Sequence, residues 1–121
     1  MGEWLVGSTA DFDEGDRRIM KVDGREIAVL KNDGRFHAIS NYCLHMGGPV
    51  GEGMIMGKVE AVLTDDEQYV GERFSTEEIH IICPWHGWEY NIATGEFAGD
   101  RTRCLPTFEV VTRDGQVYVR T

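Results

Sequence analysis

Residues 18–39 read RIMKVDGREIAVLKNDGRFHAI, and this stretch decides the fold class. Three runs, 18–22, 25–31 and 35–39, are separated by Asp23-Gly24 and by Asn32-Asp33-Gly34. Apolar residues recur in these runs with the two-residue period of a strand. An Asp-Gly pair between such runs is a strong hairpin signal, because the turn that matches strand twist needs positive φ at both central residues. The pattern returns near the C-terminus, where 107–112 and 116–120 flank Asp114-Gly115. His80-Ile81-Ile82 reads as a further short strand, and 88–92 as another that ends at the Thr94-Gly95 turn. Fifteen glycines supply the tight turns such a chain needs. The expectation is an all-β, antiparallel β-sandwich or small barrel.

Residues 53–78 break this pattern. Val59, Val62 and Leu63 lie at i, i+3, i+4 spacing, and Thr64-x-x-Glu67 and Ser75-x-x-Glu78 match the capping box that opens a helix. A partly helical segment is expected there. Met54-Ile55-Met56 reads as packing that segment against the sheet, with an apolar docking patch as the other reading.

At 121 residues and 41% hydrophobic composition, the chain suits one domain, residues 1–121, with an ordinary core. It has no apolar run of about 18 residues, the length that marks a membrane-spanning helix. Met1-Gly2-Glu3-Trp4-Leu5 lacks the basic start and apolar stretch of a secretory signal. Twenty-one acidic residues against 12 basic ones give a net charge of −9, which argues against nucleic acid or an anionic membrane as partner. The excess is local. Residues 1–16 carry five acidic residues and no Lys or Arg, and residues 57–78 carry seven against Lys58 and Arg73. Such segments either aid solubility or steer a basic partner. Three cysteines, an odd number, suit a reducing cytoplasm better than a disulfide scaffold.

Two stretches carry chemistry: Cys43-Leu44-His45-Met46-Gly47-Gly48-Pro49 and Cys83-Pro84-Trp85-His86-Gly87-Trp88. Each sets one thiol beside one imidazole in a glycine- or proline-bearing loop directly after a strand. Gly47, Gly48 and Gly87 let backbone N–H groups approach whatever the four side chains hold. Two Cys and two His permit a tetrahedral zinc site. They also permit a centre in which one iron takes two thiolates and a second takes two imidazoles. The spacing is tighter than the Cys-x2–4-Cys and His-x3–5-His pairs of zinc fingers.

With C-L-H-M-G-G-P and then C-P-W-H-G-W-E-Y-N-I-A-T-G-E, the sequence resembles the Rieske iron–sulfur family, and within it the soluble ferredoxin branch. The likeness runs from Trp4 to Val119 and takes in Leu105-Pro106-Thr107-Phe108-Glu109-Val110. It implies a Rieske-type antiparallel β-sandwich with a cluster-binding part over 41–98 and an insertion over 53–78. It implies one [2Fe–2S] cluster, with Cys43 and Cys83 on one iron and His45 and His86 on the other. It also implies an electron-transfer component rather than an enzyme, carrying single electrons from a flavin-dependent reductase to a terminal oxygenase or similar enzyme. The alternative is a non-catalytic small subunit of a larger reductase complex such as nitrite reductase. A cytoplasmic location, redox protein partners and no small-molecule substrate follow from the same resemblance.

The departures from the family refine the expectation. High-potential members carry an extra cysteine in each loop, where this chain has Gly48 and Trp85, so no disulfide joins the loops. Their serine that bonds a cluster sulfur is here Trp88. Fewer hydroxyl donors imply a potential toward the low end of the Rieske range. Tyr90 reads either as one donor that remains or as a core residue. Trp85 and Trp88 read as shields against water, with a purely core role for Trp88 as the alternative. His37 and His80 read as strand histidines, and Cys104 as a small buried hydrophobe or part of a loop over the cluster. Residues 41–51 and 79–88 carry no Asp, Glu, Lys or Arg. An uncharged tip is therefore expected to approach a partner closely while acidic segments farther off orient it.

Overall fold

A computed structural model describes residues 2–121; Met1, the first residue of the N-terminal stretch, lies outside it. The first strands are β1 (Glu3–Ser8), β2 (Arg17–Val22), β3 (Arg25–Asn32) and β4 (Arg35–Ser40). They are followed by β5 (Met54–Leu63), β6 (Tyr69–Ile82), β7 (Glu89–Asn91), β8 (Glu96–Phe97) and β9 (Asp100–Cys104). β10 (Thr107–Arg113) and β11 (Gln116–Arg120) complete the chain, and short 3-10 turns occupy Thr9–Asp11 and Val50–Glu52. The three Asp-Gly pairs turn as expected. Both central residues have positive φ in each: 50° and 80° at Asp23-Gly24, 52° and 73° at Asp33-Gly34, 52° and 74° at Asp114-Gly115.

One antiparallel sheet runs β1-β11-β10-β4-β3-β2. Its edges approach each other, with the Arg18 guanidinium of β2 donating to the Val6 carbonyl of β1 at 2.6 Å, so the sheet nearly closes. The second runs β5-β6-β7-β8-β9. β3 explains how the cores are divided. Ile27 and Val29 pack with Val6, Phe12, Val117 and Val119, while Ala28 and Leu30 face Ile39, Ile81, Tyr90 and Leu105. Alternate residues leave a strand on opposite faces, so a run buried on both sides must be apolar throughout. The second of these cores includes Cys43 and Cys83, which ties the two sheets together beneath the chemistry-bearing loops.

Residues 53–78 correct the expectation of a partly helical insertion: β5 and β6 form one long hairpin. The capping signals are real, but they close turns. Thr64 Oγ1 accepts from the Gln68 amide at 3.1 Å, and the Glu67 amide donates to the Thr64 carbonyl at 2.8 Å, which makes the hairpin tip. Ser75 Oγ accepts from the Glu77 and Glu78 amides at 3.1 and 3.0 Å, at the place where β6 bulges between its pairings at Phe74 and Ile79. Side-chain oxygens of Ser and Thr satisfy such amides in turns as readily as at helix starts. Opposite this bulge only glycine fits at position 57, since a Cβ would lie 2.0 Å from the Ser75 carbonyl oxygen. Ile55 packs on the core between the sheets, whereas Met54 is 65% exposed.

Candidate metal centre

The two chemistry-bearing loops share one frame. In the first, the Cys43 amide donates to the Gly48 carbonyl and the Gly47 amide to the Cys43 carbonyl, both at 2.9 Å. In the second, the Cys83 amide donates to the Trp88 carbonyl at 2.8 Å. Each loop is thus a six-residue bend pinned at its cysteine. Left-handed backbone makes the bends possible: Gly47 has φ 74°, and His86 and Gly87 have φ 67° and 75°. At His86, a non-glycine residue, this costs about 1 kcal/mol, which the packing of the loop must supply. Gly48 lets the loops meet. A Cβ there would stand 2.9 Å from both Cys83 Sγ and the Trp85 side chain.

The side chains sort by depth. Cys43 and Cys83 are buried, while His45 and His86 are exposed above them with ring centroids 4.9 Å apart and planes at 78°. The Tyr90 hydroxyl lies 3.1 Å from Cys43 Sγ and accepts from the Leu44 amide at 3.0 Å. Because that oxygen is already an acceptor, its own proton is free to point at the sulfur. Burial, and next the Cys43 thiol beside it, push the Tyr90 phenol far above its ordinary range. Trp88 stacks on His45 at 4.5 Å and 12°, and on Phe97 at 4.2 Å and 9°. The Arg103 guanidinium lies 5.4 Å from the Trp88 ring. Trp85 leaves half its surface in solvent, so Trp88 is the more enclosed of the two tryptophans.

Two other residues depart from expectation. Cys104 is exposed rather than buried, because it ends an edge strand and Leu105 takes the inward position beside it. His80 does sit in a strand, but it is more than a filler. It is 2% exposed, with Nδ1 2.8 Å from Glu89 Oε2 and Nε2 2.7 Å from Glu78 Oε2. The hydrogen bond from His80 holds the Glu78 carboxyl below its usual value, with Lys58 and Arg101 acting in the same direction. The sequence signal was Glu78-x-His80, since residues two apart on a strand share a face. Its partner Glu89 lies across the β6–β7 pairing and is invisible to a linear reading.

The donor set fits a two-iron centre. Burial raises the Cys83 thiol above its usual value and the neighbouring Cys43 adds to this, while the Trp85 backbone N–H acts the other way. Two adjacent buried thiols ionise together only when a cation lies beside them. Among the described residues, no three His, Cys, Asp or Glu side chains converge on one ion. Two neighbouring thiols beneath two neighbouring imidazoles suit a centre that takes two protein ligands on each of two irons.

Comparison with known proteins agrees with this chemistry. The Rieske [2Fe-2S] domain family matches residues 3–109. Ferredoxin CarAc of Metapseudomonas resinovorans is 30% identical over 119 residues, covering 96% of this chain and 92% of that protein. Among solved structures, the complex of reduced oxygenase and oxidized ferredoxin in carbazole 1,9a-dioxygenase contains a chain that superposes with a TM-score of 0.71. That chain is 26% identical, with coverage of 97% of this chain and 91% of the other. A putative nitrite reductase NADPH small subunit superposes at 0.74 over 100% of both chains, with 15% identity, a likeness of fold alone. The chain spans only 16% and 47% of the length of two human relatives that it matches at 29% and 31% identity. Paired thiol and imidazole loops on a two-sheet β fold, matched over nearly the whole chain, place the protein in the Rieske [2Fe-2S] family, with one Rieske-type [2Fe–2S] cluster as its cofactor.

Proposed function

We propose that Cys43 and Cys83 hold one iron and His45 and His86 the other, within a single domain spanning residues 1–121. The domain carries single electrons from a flavin-dependent reductase to a terminal oxygenase or similar enzyme. The observation that carries this reading is the layering of the site, with two thiols in the core and two imidazole edges in solvent. When bound, the cluster supplies a one-electron site whose charge is delocalised onto sulfur. The chain's own residues do the rest. Tyr90 aims a hydroxyl proton at the Cys43 sulfur, Trp85 aims an amide at the Cys83 sulfur, and both stabilise added negative charge. Trp88 fixes the His45 plane by stacking and excludes water from that side. The exposed His45 and His86 edges, on loops whose residues 41–51 and 79–88 include no Asp, Glu, Lys or Arg, form the surface through which an electron leaves.

The reading draws further support from relatives named as ferredoxin components of an alkene monooxygenase system and of naphthalene 1,2-dioxygenase/salicylate 5-hydroxylase systems. A cytoplasmic location fits the odd, uncrosslinked cysteines. Among the described residues no helix is long and apolar enough to cross a membrane. The test is a redox titration of the purified protein followed by reconstitution with a reductase and oxygenase pair. The expected protein is red-brown, takes up one electron, shows a rhombic EPR signal when reduced, and speeds electron delivery to the oxygenase. Colourless protein holding one zinc would overturn the ligand assignment. Obligate co-purification with a large subunit, and no activity as a free shuttle, would replace the carrier reading with that of a fixed small subunit in a larger reductase complex.

A further inference from the structure

Exposed large apolar side chains fall mainly into two groups. Tyr42, Met46, Met54 and Trp85 lie in or next to the metal-centre loops; Val59, Leu63, Tyr69, Val70 and Phe74 all lie on the β5–β6 hairpin. The second group belongs to neither core. β6 pairs with β7 at His80–Ile82, so, among the described residues, 59–74 form a two-stranded ribbon with no third strand. Val59 lies opposite Phe74 and Leu63 opposite Tyr69, and directly opposed residues in an antiparallel pair share a face. These side chains are between 45% and 62% exposed, an apolar surface larger than single scattered residues produce.

Acidic groups frame this face. Asp65, Asp66 and Glu67 form the hairpin tip and Glu72 lies on the same face as Phe74, opposite Ala61, whereas Glu60 turns to the other face, where its carboxylate takes the Arg73 guanidinium at 3.2 Å. A second copy of the chain would bring the same acidic frame against it. A surface of opposite charge gains where a second copy loses. The ribbon also points away from the metal centre. β6 enters the second loop at Cys83 from its far end, and Leu63 stands nine residues beyond Met54, about 30 Å along an extended strand.

We propose that the ribbon face docks a protein partner offering an apolar groove rimmed by lysine and arginine, and that it does so without covering the His45 and His86 edges. The second half of this statement rests on the ligand assignment above; the docking itself does not.

The test is calorimetric titration of the cluster-loaded protein with a ten-residue peptide alternating Lys and Leu, and with its Glu–Leu counterpart. The basic peptide should bind and the acidic one should not. L63S/V70S/F74S should weaken binding about tenfold or more, D65N/D66N/E67Q should weaken it too, and M46S/M54S at the metal-centre end should leave it within about twofold. An unchanged visible spectrum in each variant shows that the fold and cluster persist. Stronger loss in M46S/M54S than in the ribbon variants, or equal binding of both peptides, would overturn the proposal. So would a dimer of the wild type, seen by sedimentation, that disappears in L63S/V70S/F74S. These readouts are separate from iron content in H86A, which tests the ligand assignment.

Discussion

The metal-centre end and the β5–β6 ribbon are both apolar and exposed, yet they are built in opposite ways. At the metal centre, several exposed groups rest on more enclosed ones: His45 on Trp88, the Cys43 loop on Tyr90, and Trp85 against Gly48. On the ribbon, Val59, Leu63, Tyr69, Val70 and Phe74 belong to neither core among the described residues. The first end has no Asp, Glu, Lys or Arg within residues 41–51 and 79–88, and the second carries an acidic tip. Anchoring makes the first rigid and suited to holding a redox centre at fixed geometry. Charge and freedom make the second suited to recognition.

Substitutions should separate the two ends in order of effect. Cys83→Ser or His86→Ala should abolish the cluster, measured as iron per chain, and lower the melting temperature steeply, because the metal links the two loops. Full iron content in either variant would break the assignment. His80→Gln should come next. It removes one of the ring's two hydrogen bonds, either to Glu78, which still has Arg101 at 3.4 Å, or to Glu89 across the β6–β7 pairing. Both carboxylates are partly exposed, so the expected loss is about 1–2 kcal/mol by denaturant unfolding rather than the larger cost of a fully buried pair.

Tyr90→Phe should retain the cluster but lower its midpoint potential by about 40–80 mV, the equivalent of about 1–2 kcal/mol for a one-electron couple. Phe74→Ser, by contrast, should leave both the potential and the stability within about 0.5 kcal/mol of wild type. An equal drop in potential from the two would erase the distinction between the ends.

The smallest effect is one of pH. Burial, and then the Arg35 charge, hold the His37 imidazole below its ordinary value of 6.5. Just below that pH the unfolded chain binds more protons than the folded one, so stability falls as the solution is acidified through this window. Glu78 adds to the trend at lower pH. Its folded value lies below 4.5, so its contribution is present above that value and is lost as pH falls through the folded one. Melting temperatures followed from pH 8 to below the folded Glu78 value should therefore decline in two stages, one below pH 6.5 and one below pH 4.5, and His37→Gln should remove the upper one.

How much of this was legible beforehand differs by element. The three Asp-Gly hairpins could be read because a type I′ turn is a two-residue problem with its own residue signature. The hairpin between β5 and β6 was misread because Thr64 and Ser75 carry capping oxygens, and an oxygen that accepts backbone amides serves a turn as well as a helix. Cys104 was misplaced because the edge of a sheet is a property of strand order and not of local composition.

Sequence alone determined the chemistry: two thiols and two imidazoles in two short loops, free of charged residues, with turn signals that force an all-β frame. Only the tertiary structure decided the rest. It put the thiols beneath the imidazoles, aimed the Tyr90 hydroxyl at Cys43 from 47 residues away, and set His80 between carboxylates of two strands. It also left the ribbon's apolar face exposed and outside both cores among the described residues. The division follows range. Turn preference and donor identity are local to a few residues, whereas depth, register across strands and the lack of a covering element depend on what the rest of the chain brings near.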